Sequence, residues 1–166
     1  MSIIRAREHL TRFGVEERVQ EFNVSSATVP LAAQALSVLP ARIAKTLSFI
    51  VGERVVLIVV AGDARIDNAA YKAFFHTKAR MVPPEEAGDR IGHEIGGICP
   101  FGIQSGVEVF LDVSLQRFDT VFPAAGSDSS AIELSCAELF DISAARQWID
   151  VCRDWRLPLS DSEPER

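Results

Sequence analysis

Three cysteines, three histidines and a single tyrosine are all that the 166 residues hold of those types. Cys99, Cys136 and Cys152 are odd in number and widely spaced, with no Cys-x-x-Cys pair. That pattern excludes a disulfide framework and a thiolate zinc site, and it suits a reducing cytoplasm. His9, His76 and His93 lack the His-Glu-x-x-His spacing of a zinc hydrolase, since His93-Glu94 is followed by Ile95-Gly96-Gly97. P-loop and dinucleotide fingerprints are absent. Gly102-Ile103-Gln104-Ser105-Gly106 carries its serine one place too late for a nucleophile elbow. The longest apolar run, Val55 to Ala61, is far short of the roughly 20 residues that span a bilayer. The first residues carry no signal-peptide hydrophobic stretch. The expected setting is therefore the cytoplasm, without membrane contact. Positive charge is also scarce: a net charge of −6 excludes a general nucleic-acid coat, which needs a broad basic face.

What is present is enough for one packed domain. Hydrophobic residues make up 48% of the chain, and no linker or repeat divides it. The predicted domain covers residues 1–158, followed by a polar, acidic, frayed tail at 159–166. Apolar spacing predicts a first helix over residues 3–13, ended by Gly14. A short strand is expected over 19–24. A helix follows to about Val38, with Thr28 as cap and Pro30 in its first turn. Residues 46–51 and 54–61 are apolar and β-branched, and Gly52-Glu53 between them signals a hairpin with a type II′ turn. Asp67 or Asn68 caps a helix carrying Phe74 and Phe75. Strands are expected at 78–82, 107–111, 120–124 and 131–134, and a short helix opens at Pro83-Pro84-Glu85-Glu86. Ser135 and Glu138 make a capping box for a helix ending near Phe140. Residues 147–155 fit helix or strand. Hairpins and short helices, without strict βαβ alternation, point to an α+β fold.

Two segments carry candidate chemistry. Gly92 to Gly102 packs four glycines, a proline and a histidine into eleven residues, and Gly96 and Pro100 frame a Gly-x-x-x-Pro loop. Its free N–H groups either complete an ordinary tight turn or face a carbonyl or oxyanion. Lys45 stands in an otherwise apolar run, Ile43-Ala44-Lys45-Thr46-Leu47. It is either a snorkelling side chain or an ammonium that meets a phosphate or carbonyl. His93 suits orienting the loop. Cys99 lacks an activating partner and suits the wall of a small pocket better than a thiolate nucleophile. Asp63 and Asp67 suit turn and cap duties, and Asp112 a structural hydrogen-bonding role. Residues 65–80 hold Arg65, Lys72, Lys78 and Arg80 against one acid, Asp67. This is either a solvated face or a patch that meets phosphates.

Together these motifs resemble the YbaK/ProRS-editing-domain family of aminoacyl-tRNA deacylases. The resemblance takes in Ile43 to Leu47, Ala61-Gly62-Asp63-Ala64-Arg65-Ile66-Asp67, the Gly-x-x-x-Pro loop, Val109 to Leu115, and Ala124-Ala125-Gly126 with Ala131 to Leu134. Ile66-Asp67-Asn68, Lys78-Ala79-Arg80-Met81 and Cys99-Pro100-Phe101 look most like the free-standing editing factors associated with tRNA for proline. Two departures stand out. The family often has glycine where Ser37 stands. Its alanine-selective branch carries a histidine after Gly126, where this chain has Ser127, Asp128, Ser129 and Ser130.

The resemblance implies a curved, largely antiparallel mixed sheet flanked by helices. It also implies hydrolysis of a mischarged aminoacyl ester, with aminoacyl-tRNA as partner, a link to prolyl-tRNA synthetase, and neither metal nor organic cofactor. Lys45, Gly96, Gly97 and Pro100 are the expected catalytic set, with backbone N–H groups of Gly96, Gly97 and Ile98 meeting the oxyanion. Thr28, Val29, Leu47, Ile98, Cys99, Phe101 and Gly126 are the expected substrate pocket, sized for alanine, 2-aminobutyrate, serine or cysteine. Lys72, Lys78 and Arg80 are the expected tRNA contacts. The alternative from another class is a non-catalytic module that binds tRNA ends or nucleotides.

Overall fold

A computed structural model of the chain describes residues 2–156. Its centre is a hairpin of β2 (Ile43–Val51) and β3 (Arg54–Ala61), paired antiparallel from Ala44↔Ala61 to Val51↔Arg54. Of the two turn residues only Gly52 has positive φ, +63°, as the first position of a type II′ turn requires. Val56 to Ala61 are wholly buried, so β3 is the spine of the core. Burying each large apolar side chain contributes about 1.5–3 kcal/mol.

Outward from the hairpin, β5 (Glu108–Asp112) runs parallel to β3, and β9 (Trp148–Ile149) runs parallel to β5. On the other side β6 (Thr120–Pro123) runs parallel to β2 but meets only Ile43 and Ala44, and β8 (Leu134–Ser135) is antiparallel to β6. The six-stranded order is β8-β6-β2-β3-β5-β9. The expected mixed α+β sheet is present, with its antiparallel share concentrated in the long hairpin. Two small antiparallel pairs lie apart from it: β1 (Gln20–Glu21) with β7 (Ser130–Ala131), and β4 (Arg65–Ile66) with β10 (Cys152–Arg153).

The helices follow their local signals. In α1 (Ser2–Arg12) Ala6 and Leu10 are buried. In α2 (Val29–Leu36) the Thr28 hydroxyl accepts from the Leu31 N–H, and Pro30 sits in the first turn. Asp67 accepts from the N–H groups of Ala69 and Ala70 at the start of α3 (Asn68–Phe75). Two prolines open α4 (Pro84–Ile91), and the Ser135–Glu138 capping box opens α5 (Cys136–Ile142), which runs two residues past Phe140. Ser37 closes α2 in the left-handed region at φ +57°. None of the described helices is long and apolar enough to cross a membrane.

Three expectations need correction, and one open choice is decided. Residues 19–24 contribute only the two-residue β1. Residues 78–82 form no strand: Met81 makes one isolated bridge to Phe49, flanked by Ile50 N–H to the Arg80 carbonyl and Val82 N–H to the Ser48 carbonyl. Pro83 and Pro84 follow directly and remove the donors a ladder would need. The strand expected at 131–134 is split between two sheets, because Ser130-Ala131 pairs with β1 while Leu134-Ser135 pairs with β6. The segment 147–155 is extended, supplying β9 and β10. The tail expected at 159–166 lies outside the described residues.

Candidate functional site

The register of the hairpin decides where the site lies. In an antiparallel pair, alternate residues turn their amide and carbonyl toward the partner strand. In β2 the even-numbered residues turn theirs away from β3, as the Ser48 carbonyl and Ile50 N–H do in bonding the 80–82 segment. Ala44 faces β6 and Ser48 faces Val82. Between them, Thr46 has no neighbouring strand: its N–H and C=O find no partner among the described residues. A cavity of about 350 Å³ opens at this gap.

Its walls come from five segments. Strand β2 contributes Ile43 through Ser48, and the start of α2 contributes Thr28, Val29 and Ala32. Met81, Val82 and Pro84 close one side, and Ala124, Ser130 and Ala131 another. The glycine-rich loop contributes Ile95, Gly96 and Ile98. The Ser26 N–H and hydroxyl both donate to the Asp128 carbonyl, which ties the segment before α2 to the loop after Gly126.

Lys45 is the one charged side chain of that wall. It is half-buried, its Nζ reaches only the Gly62 carbonyl at 3.4 Å, and it makes no ion pair among the described residues. Burial pulls its pKa below that of an ordinary lysine, with smaller opposed effects from Arg65 and Asp63. A desolvated ammonium without a counter-ion favours an anionic or strongly dipolar ligand.

Glu94 to Gly97 is a turn closed by Gly97 N–H donating to the Glu94 carbonyl at 3.0 Å. Gly96 occupies its third position with φ +95°, the conformation a type II turn demands there. The N–H groups of Gly96 and Ile98 have no acceptor among the described residues, whereas that of Gly97 is spent on the turn. Gly97 is therefore withdrawn from the expected donor set. Its glycine is needed for packing: a Cβ there would lie 2.8 Å from the Gly126 carbonyl.

The remaining expected residues divide by side of the loop. Thr28, Val29, Lys45, Leu47, Gly96 and Ile98 line the cavity together. Cys99, Pro100, Phe101 and Gly126 do not; all four are buried behind it, and Gly126 packs on the backbone of α1. Ile95, Gly96 and Ile98 line the cavity, whereas Gly97 and Cys99 are buried and do not. Burial pushes the Cys99 thiol up to about 12, which removes it as a nucleophile at neutral pH. His93 is fully buried beside it, with Nε2 2.6 Å from the Phe101 carbonyl and 3.5 Å from Cys99 Sγ. That contact requires Nε2 to carry the proton, and Nδ1 is left without a partner. Asp112 accepts from Ser114 and Val151 N–H groups, and Asp63 forms a two-point ion pair with Arg117 at 2.5 and 2.9 Å; both hold the fold. Asp67 caps α3, and no group of His, Cys, Asp and Glu among the described residues has metal-binding geometry.

Lys72, Lys78 and Arg80 are exposed, and none is in an ion pair among the described residues. Sequence reasoning missed Thr46, Ser48, Met81, Val82 and Ser130. The one signal for Thr46 and Ser48 is their polarity within the apolar β2 run.

Residues 24–142 match the family of aminoacyl-tRNA editing domains. The chain belongs to that family. It is 54% identical over 156 residues to the uncharacterised protein YwhH of Bacillus subtilis (strain 168), covering 93% of this chain and 99% of that one. An 86-residue stretch is 30% identical to the proline–tRNA ligase of Geobacillus sp. (strain WCH70), covering 51% of this chain and 15% of the ligase. Among solved structures, one described as a candidate trans-editing enzyme for prolyl-tRNA synthetase superposes with a TM-score of 0.84. It is 27% identical, with 92% of this chain and 98% of that one covered. In this editing domain Lys45 and the glycine-rich loop thus share one cavity at a strand-edge gap.

Proposed function

We propose that the chain is a free-standing deacylase that hydrolyses aminoacyl-tRNA carrying a small wrong amino acid. Alanine, 2-aminobutyrate, serine and cysteine attached to tRNA for proline are its substrates, and prolyl-tRNA synthetase is the enzyme whose errors it clears in the cytoplasm. The observation that carries this reading is the meeting of an unpaired, half-buried Lys45 with the unpartnered N–H groups of Gly96 and Ile98 around one small cavity.

The substrate is an activated ester, so little covalent help is needed. Water adds to the ester carbonyl carbon, and the oxygen that becomes negative is met by the Gly96 and Ile98 N–H groups. Each such donor is worth roughly 3 kcal/mol. The bond to the ribose oxygen then breaks, and that oxygen takes the proton released by the attacking water, relayed by the neighbouring ribose hydroxyl. Lys45 anchors the terminal adenosine or its phosphate, and holding the ester in line supplies several kcal/mol more. Selectivity by size alone is modest, about 1–3 kcal/mol per methylene. A cavity of about 350 Å³, at the small end for ligand sites, suits small side chains.

A panel of mischarged tRNAs assayed for deacylation tests this. The wild type is expected to clear at least one small-amino-acid ester. Lys45→Ala is expected to slow it at least tenfold with little change in melting temperature, and Lys45→Arg to rescue it poorly, because a planar fork does not replace a compact ammonium. No turnover on any member, or near-wild-type turnover by Lys45→Ala, overturns the assignment.

A further inference from the structure

The cavity beside Lys45 holds two hydroxyl side chains on β2 whose hydrogen bonds are unmade. Thr46 and Ser48 are two residues apart on β2 and so share a face of the strand. Both line the cavity. The Thr46 Oγ1 is buried without a partner. Ser48 is only 3% exposed, its carbonyl is taken by Val82, and its hydroxyl makes no hydrogen bond among the described residues. Two polar groups left unmatched beside the free strand edge at Thr46 are what a site built to receive a polar ligand group looks like.

We infer that Ser48, supported by Thr46, selects for an aminoacyl side chain that bears a hydroxyl, so that seryl esters are the preferred substrates over alanyl esters. The inference rests on the deacylase reading above and narrows its substrate class. An added hydroxyl is not rejected by an apolar pocket of the same size, so size alone gives no preference for serine. A pocket that hydrogen-bonds the hydroxyl does, because the alanyl ester forgoes that bond and leaves the buried Thr46 hydroxyl without a partner. Ser48 both donates and accepts, and so does a seryl hydroxyl. Val29, Leu47 and Ile98 enclose the remaining surface and limit the side chain to a few atoms.

The test compares seryl- and alanyl-tRNA for proline as substrates of wild type, Ser48→Ala and Thr46→Val, reading kcat/KM for each. The wild type is expected to favour the seryl ester at least tenfold. Ser48→Ala is expected to lower the serine-to-alanine ratio at least tenfold, and Thr46→Val to lower it by a smaller factor. A general folding defect lowers both rates together and leaves the ratio alone. A wild type that prefers alanine, or a ratio unmoved by Ser48→Ala, overturns this inference while leaving the deacylase reading standing. Absence of turnover on both esters and on the whole panel overturns the deacylase reading itself.

Discussion

His9 and His93 brace the glycine-rich loop as neutral imidazoles. His9 donates from Nε2 to the Ile142 carbonyl at 2.7 Å and accepts the Gly102 N–H at Nδ1, 3.0 Å away. His93 donates to the Phe101 carbonyl. Burial pulls the pKa of both below the ordinary histidine value of 6.5. A group whose folded pKa is depressed takes its proton in the unfolded chain first. Its contribution is complete above pH 6.5 and is lost as pH falls toward the folded value. Stability should therefore decline between pH 7 and pH 5, before carboxylates titrate. His93→Gln keeps an N–H donor but cannot titrate, so its unfolding free energy should vary less steeply with pH over that window. An equally steep profile for that variant, measured by denaturant unfolding at several pH values, would show that His93 is not the group responsible.

At the scale of elements, the two that matter are the turn from Glu94 to Gly97 and the open edge of β2. If the turn aims the Gly96 and Ile98 N–H groups, Gly96→Ala should hurt turnover more than folding. Its φ of +95° strains any L side chain, and a Cβ would press the Asp128 side chain at 3.3 Å. The strain costs about 1–2 kcal/mol, a drop of about 2–8 °C in melting temperature at this chain length. Specific activity should fall at least tenfold. A variant that melts lower yet keeps its specific activity per folded molecule would reduce the turn to a structural connection. The sequence made the turn legible because its signals are local: Gly96 at a type II position, Thr28 as cap, Gly52 between β-branched runs. Lys45 was legible because a cation in an apolar run is conspicuous. Cys99 and Phe101 were misplaced because the side of the loop they face depends on where the chain turns. Thr46, Ser48, Met81 and Ser130 went unnoticed because their common wall exists only through the gap between β6 and the 80–82 segment. The prolines that stop that segment from becoming a full strand are visible in the sequence, but the strand they fail to complete is not.

For the whole molecule the question is how a chain of net charge −6 meets a polyanion. Some of the acidic groups are engaged with arginines: Glu16 and Glu21 with Arg7, Asp63 with Arg117, Glu108 with Arg54 and Arg146, Glu133 with Arg42. Lys72, Lys78 and Arg80 are exposed and outside those pairs, and Arg80 immediately precedes Met81 on the cavity wall. A tRNA whose aminoacyl end enters the cavity past Met81 would lay its backbone along these residues. They would then act on phosphates, which position the nucleic acid without reading its bases. Replacing all three with alanine should raise KM for aminoacyl-tRNA and flatten its salt dependence by about one unit of log–log slope for each phosphate no longer neutralised. A short aminoacyl-adenosine ester has no distant backbone to lose, so its hydrolysis should remain close to the wild-type rate. Comparing the two substrates across a salt series separates docking from chemistry. An unchanged salt slope on tRNA in the triple variant would mean that the acceptor stem approaches from another side of the cavity mouth. A matching loss on the short ester would mean that the substitutions had disturbed the 80–84 wall itself.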